Sequence, residues 1–333
     1  MLICEKCFKD ESIRNDIINN YTAEGKCEAC GKYGKLADLT VVRDFFDDLI
    51  QLFEFDSGSD DTIVSLIQKD WSLFTDETTA AAVLTEVLSL NGCPLKITDK
   101  VSYNATIREG SLIWVKLKKE IKEKSRFFSN SDELDEDYVF FDRLILRNGQ
   151  KLYRARITPA DRKKLKPREM GCPQMGLSKG GRANPLGISY LYLSKDIDTT
   201  YYEVRATYLD NVSVGKFIIN NDLDIVDFDS DSSIYSIYND GIYTLSDIIL
   251  SKKLMRAISS DLSKPLRRYD TELEYIPTQW ICEYCKIKLG ADGVCFKSSL
   301  QEGGKNYVLF DSDKAKCVSV QSHVIRRVTI GRN

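Results

Sequence analysis

Three polar residues sit in frames that suit them to chemistry. Arg182 lies in Gly180-Gly181-Arg182-Ala183-Asn184-Pro185, Glu203 ends Thr199-Thr200-Tyr201-Tyr202-Glu203, and Ser298 follows Asp292-Gly293-Val294-Cys295-Phe296-Lys297. A cation, a carboxylate and a hydroxyl delivered from separate elements can hold a dinucleotide and stabilise positive charge on its ribose. Arg154 and Arg156, in Tyr153-Arg154-Ala155-Arg156, add two guanidinium groups that strand alternation puts on one face. Taken singly, Glu203 near Arg205 reads equally as a solvated helix face, Arg182 as a turn residue and Ser298 as a cap. The set is what points to a site.

A second cluster is built from sulfur. Cys4 and Cys7 are spaced as a pair, and Cys27 and Cys30 repeat the spacing, with Gly31 and Gly34 supplying turns behind them. Two such knuckles provide four thiolates that a tetrahedral zinc closes completely, leaving no open position for water, so the expected zinc is structural. Cys282 and Cys285 are also paired, but Trp280, Ile281 and Leu289 flank them, and they are expected to pack as small hydrophobes. Cys93 and Cys172 have no partner at ligand spacing.

Other chemistries find no support. The single histidine, His323, lies in the strand-like Val320-Gln321-Ser322-His323-Val324-Ile325 without a motif for a Ser-His-Asp or Cys-His site. No Gly-rich run followed by Lys-Ser or Lys-Thr occurs, which argues against a nucleotide triphosphatase.

The elements that must position these residues fall into two patterns. From Leu36 onward apolar positions recur at helical spacing: Leu39, Val42, Phe45, Phe46, Leu49, Ile50 and Phe53 form one stripe. Further helices are expected over about 62–74, 76–90 (stopped by Asn91-Gly92) and 111–128. From Tyr138 short aromatic and branched runs dominate: Val139-Phe140-Phe141, Leu152 to Ile157, Ser189 to Leu193, Lys216 to Ile219 and Leu223 to Asp227 read as strands. Helices are expected near Thr199 to Tyr208 and Thr278 to Leu289. The organisation is therefore α+β: a four-cysteine zinc module over residues 1–35, a helical domain over 36–137 and a catalytic domain over 138–333.

The chain has 333 residues, a formal net charge of -3 and 10 cysteines. That charge supplies no global drive toward nucleic acid or anionic lipid. Paired cysteines read as ligands and buried thiols in a reducing compartment, and neither a signal peptide nor a membrane span is visible, so the expected location is the cytoplasm with no membrane partner.

Six ordered segments carry a resemblance. Tyr153 to Arg156, Gly180 to Pro185, Tyr190-Leu191-Tyr192-Leu193-Ser194, Thr199 to Glu203, Pro277-Thr278-Gln279 and Gly290 to Ser298 resemble, in that order, the RES domain, named for its Arg, Glu and Ser. Ala183 departs from the family's usual Trp, and Tyr201-Tyr202 replaces small residues. The resemblance implies an ADP-ribosyltransferase-like core that consumes NAD in bacterial toxin, toxin-antitoxin or anti-phage defence systems, with NAD as substrate and no separate cofactor. It implies that Glu203 binds a ribose hydroxyl and the developing positive charge, and that Arg182 with Arg154 or Arg156 grips the pyrophosphate. Ser298 would bond a ribose or phosphate oxygen, and Tyr190 or Tyr192 would stack on nicotinamide or bond the ribose. The expected activity is NAD glycohydrolase or phosphorylase. The alternatives are ADP-ribosyl transfer to a macromolecule, or an inactive zinc-bearing module that binds protein or nucleic acid, the latter through Lys116 to Lys124 or Arg162 to Arg168. The N-terminal half resembles helical domains of longer RES proteins, and the zinc module fused to a toxin-like domain leads us to expect a sensing, partner-binding or autoinhibitory role for it, with an antitoxin or a sensor protein as the partner; the sequence leaves homo-oligomerisation open.

Overall fold

The computed structural model describes residues 1–127, 129, 134, 139–174, 176–264 and 272–327. The chain opens with β1 (Leu2–Cys4), α1 (Glu11–Asn19), β2 (Ala23–Lys26), β3 (Tyr33–Asp38), α2 (Thr40–Gln51), β4 (Phe53–Phe55), α3 (Ile63–Trp71) and α4 (Glu77–Asn91). It continues through β5 (Val101–Tyr103), α5 (Ala105–Gly110), α6 (Ile113–Glu123), β6 (Arg143–Leu146), β7 (Lys151–Ile157), β8 (Leu191–Ser194) and α7 (Ile197–Glu203). Then come β9 (Asn211–Ile219), β10 (Leu223–Asp227), α8 (Ile234–Asn239), α9 (Leu245–Ser263), α10 (Ile276–Ile287), β11 (Gly293–Lys297), β12 (Lys305–Leu309) and β13 (Ala315–Val324). The architecture is α+β, as the sequence pattern predicts.

These elements form two compact units. One holds Met1–Ile113, Asp132–Phe140 and Asp231–Lys253; the other holds Trp114–Ser131, Phe141–Ser230 and Leu254–Asn333. In the first, β1, β3 and β2 make a small antiparallel sheet in that order. The expected stripe of α2 is its buried face: Val42, Phe45, Phe46, Leu49 and Ile50 are all in the core, where each contributes about 1.5–3 kcal/mol. Thr62 and Ser65 close a capping box on α3, and Asp76 caps α4, which ends where Gly92 takes a left-handed φ of 60°. From later in the chain α8 joins this core, with the Tyr235 ring 5.1 Å from that of Phe45 and its hydroxyl donating to Asp16 at 2.7 Å.

The second unit is organised on an eight-stranded sheet, ordered β13-β9-β7-β8-β12-β11-β10-β6. Its strands pair antiparallel except β10 with β11. Packing on one core joins Leu152, Leu191, Leu193, Phe217, Ile225 and Leu309 from the central strands.

Several elements depart from the sequence pattern. The helix expected over 111–128 is found as the shorter α6, and a separate short helix that the pattern did not assign, α5, precedes it, started by Asn104, whose side chain accepts from Ile107 N. Within α6, Lys118 pairs with Asp261 at 2.5 Å and Lys122 with Glu274 at 2.7 Å, while Arg162 pairs with Glu169 at 2.5 Å, so both basic runs are partly spent on internal carboxylates. Val139-Phe140-Phe141 is no strand, since Phe140 N donates to the Ser251 hydroxyl. The strand-rich reading of this half also leaves α9 unassigned, although Thr244 and Asp247 cap it reciprocally and Ile248, Ile249, Met255, Ile258 and Leu262 are buried along it. Among the described residues no helix is long and apolar enough to cross a membrane.

Candidate active site

The second unit contains a cavity of about 340 Å³ walled by residues of β7, β8, α7, β11 and β12 and by the Gly181–Asn184 turn. Its sheet wall follows from register. Tyr153 pairs with Ser194, Ser194 with Asn306, and Asn306 with Phe296, so one row crosses four neighbouring strands and all four residues line the cavity.

Glu203 reaches this cavity as the last residue of α7. Asp196 starts the helix by accepting from Thr199 N at 2.8 Å. The helix stops sooner than the run to Tyr208 suggests because Arg205 adopts a left-handed φ of 51° and the N–H of Ala206 returns to Tyr201 O at 3.0 Å. A carboxylate at a helix C-terminus meets the negative end of the dipole. Two donors offset this: Ser298 Oγ at 2.9 Å and Asn306 Nδ2 at 2.7 Å, both to Glu203 Oε1. Asn306 is itself buried and oriented by Ser194 Oγ, which donates to its Oδ1 at 2.9 Å. Among the described residues Oε2 accepts no hydrogen bond.

Ser298 thus has a different place from the one expected. Its hydroxyl is donated to Glu203, and the residue is buried behind the carboxylate rather than in the cavity wall. Asn306 is a site residue that the family's three letters do not name; a buried amide in the strand after the Ser298 turn carries no signal in spacing alone.

Arg182 sits in a turn held from several sides. Its Nη1 donates to Leu262 O at 3.3 Å and Ser263 O at 3.1 Å, the carbonyl end of α9, where a cation is favoured. Buried Asn184 organises the turn, donating to Ile188 O at 2.8 Å and accepting from Tyr192 OH at 2.7 Å, while Ala183 N donates to the same hydroxyl at 3.0 Å. Gly181 is required here, because a Cβ would lie 2.6 Å from Asn184 Oδ1 and 2.9 Å from the Tyr192 hydroxyl. Ala183, in the family's tryptophan position, is fully buried.

Arg154 and Arg156 separate. Arg154 lines the cavity, whereas Arg156 does not and donates to Gly171 O. Burial and then the neighbouring Arg156 guanidinium push the Arg154 pKa down, and Arg154 Nη1 is buried with no hydrogen-bond partner. A buried guanidinium nitrogen without an acceptor is a costly arrangement that an anionic ligand relieves. Neither Arg154 nor Arg182 forms an ion pair among the described residues.

The two tyrosines also part. Tyr192 lines the cavity, buried so deeply that its phenol is held well above the ordinary range. Tyr190 does not reach it: the ring packs 4.9 Å from that of Phe310, and Lys286 Nζ lies 5.2 Å over its face. His323 stands on β13 with Nδ1 3.0 Å from the Tyr201 hydroxyl.

In the first unit the four expected cysteines converge. The sulfurs of Cys4, Cys7, Cys27 and Cys30 lie within 4.8 Å of one another, with Cys4–Cys30 at 3.5 Å and Cys7–Cys27 at 3.4 Å. Tetrahedral zinc with bonds of about 2.3 Å needs sulfurs about 3.8 Å apart, so the cluster fits a structural zinc. Burial, with the adjacent Cys30 and Cys27 thiols, pushes the Cys4 thiol up to about 12. Cys282 and Cys285 are fully buried in α10, and burial pushes the Cys285 thiol up to about 12.

No curated protein and no solved structure matches the chain. A family model does: the RES domain model matches residues 151–330, which contain every residue of the cavity described above, and the chain belongs to the RES domain family.

Proposed function

We propose that the protein cleaves the nicotinamide–ribose bond of NAD, by hydrolysis or phosphorolysis, as a bacterial toxin or defence effector. Membership of the RES family supports an NAD-related, toxin-like function at the level of the family. The observation that carries the finer reading is the carboxylate of Glu203, clamped through one oxygen by Ser298 and Asn306 and opening on a cavity that also holds Arg154 and Arg182.

Nicotinamide in NAD is a cationic leaving group, so breaking its glycosidic bond needs little acid assistance. The bond's electron pair passes to the pyridinium nitrogen, and positive charge grows on C1′ and the ring oxygen. Glu203 stabilises that charge through Oε2 and a ribose hydroxyl, while Arg154 and Arg182 hold the pyrophosphate. Water, losing a proton, or phosphate then adds to C1′. Zinc has no part in these steps; held by Cys4, Cys7, Cys27 and Cys30, it would stabilise the fold of the small module.

Purified protein incubated with NAD, with and without phosphate, should release nicotinamide, giving ADP-ribose in one case and its 1″-phosphate in the other if phosphate is the acceptor. Glu203→Ala should abolish release. Turnover by Glu203→Ala at the wild-type rate would sink the proposal, and labelled ADP-ribose retained on macromolecules would move the reading to transfer.

A further inference from the structure

We propose that the adenosine half of the dinucleotide is bound in a second cavity beside the first, an inference that rests on NAD being the substrate. This cavity, of about 310 Å³, shares Tyr275 with the first and is lined by Arg126, Leu186, Leu273, Ile276 and Gln279, with Gly180 at its edge. The partition between the two is the glycine turn: Gly180 belongs to one wall and Gly181 and Arg182 to the other.

Size comes first. The catalytic cavity, at about 340 Å³, stands near the lower end of the roughly 300–1,000 Å³ range of ligand sites, enough for one nucleoside half with its phosphate but not for two. A dinucleotide gripped by Arg182 must send its other half past the turn that carries this residue, and the adjoining cavity begins there.

Chemistry agrees with a purine nucleoside. Leu186 is 77% exposed and Leu273 53% exposed, which leaves apolar walls open to water until a flat ring covers them. Gln279 spends Nε2 on Gly181 O at 2.8 Å, and among the described residues no donor reaches its Oε1, which is therefore the acceptor available to an exocyclic amine. Among the described residues Arg126 forms no ion pair and is the one cation lining this cavity, available to a phosphate on that side.

The test compares NAD with nicotinamide mononucleotide, which lacks the adenosine half, and measures adenosine monophosphate binding by calorimetry. The full-length wild type and the double variant Arg126→Glu, Leu273→Asp are used, both substitutions being at exposed side chains, with melting curves to verify the fold. The expected result is a wild-type preference for NAD in kcat/KM, a collapse of the NAD-to-mononucleotide ratio by tenfold or more in the variant, and an equal weakening of adenosine monophosphate binding. No wild-type preference, an unchanged ratio, or an unchanged nucleotide affinity would overturn the subsite. Variant-sensitive nucleotide binding without nicotinamide release from either substrate would uphold the subsite while refuting the cleavage reaction.

Discussion

Asn306→Asp is the most discriminating change in this site, because it alters one atom's role and almost no volume. The amide donates to Glu203 Oε1 at 2.7 Å and accepts from Ser194 Oγ at 2.9 Å. The introduced carboxylate keeps the second contact and turns the first into a meeting of like charges. Losing a charge-assisted hydrogen bond costs about 1.5–3 kcal/mol, a fall in kcat/KM of about 10- to 150-fold, which is the expectation for Asn306→Ala. Two carboxylates that relax to about 4 Å repel by a further ~4 kcal/mol at an effective dielectric near 20, so Asn306→Asp should lie well below the alanine variant at neutral pH. The sign with pH is fixed by the same chemistry. Beside Glu203 the introduced acid has a raised pKa; below it, the protonated acid donates as the amide did, and above it the repulsion is complete. Activity of Asn306→Asp relative to wild type should therefore rise as pH falls, followed as nicotinamide release from NAD between pH 5 and 9. A flat ratio, or an aspartate variant as active as the alanine one at alkaline pH, would refute Asn306 as the positioning donor.

Arg154→Ala should lower kcat/KM for NAD by about 10- to 150-fold, the worth of one charge-assisted bond, while Arg156→Ala should cost less, since only the former lines the cavity; steady-state kinetics on both decides it. Tyr192→Phe takes the shared partner from Ala183 N and Asn184 Oδ1, and denaturant unfolding should show a loss of about 1–3 kcal/mol. Elemental analysis should find one zinc per chain, lost on Cys4→Ser with a lower melting temperature, because the four sulfurs of that cluster form a closed ligand set.

Much of the fold was legible where local rules act alone. The apolar stripe of α2, the Asp76 and Gly92 boundaries of α4 and the alternation of β7 can each be read within one window of sequence. The paired cysteines were legible for a related reason, as ligand spacing is a local constraint. What escaped is tertiary. The end of α7 depends on Arg205 in a conformation its residue type does not announce, and the return of residues 231–253 to the N-terminal unit is a matter of packing between segments far apart in the chain. The case of α9 differs, since its Thr244-x-x-Asp247 cap and apolar repeat were present but lie within a strand-rich half.

The division of labour between Ser298 and Asn306 shows why the site could be named from sequence but not assembled. Strands β11 and β12 form an antiparallel pair in which Lys297 faces Lys305, and Ser298 N donates to Gly304 O at 2.7 Å just beyond them. That closure brings the serine hydroxyl and the Asn306 amide to a single oxygen of Glu203, which arrives from α7. The serine's place in its Asp-Gly frame therefore encodes a hairpin as much as a hydroxyl. Gly293 serves the same geometry, for a Cβ there would stand 2.3 Å from Val308 O and force the two strands apart. Widening the hairpin would draw both donors from Glu203 at once, so the register of this pair, more than any one of the three named residues, holds the carboxylate against the unfavourable end of its own helix.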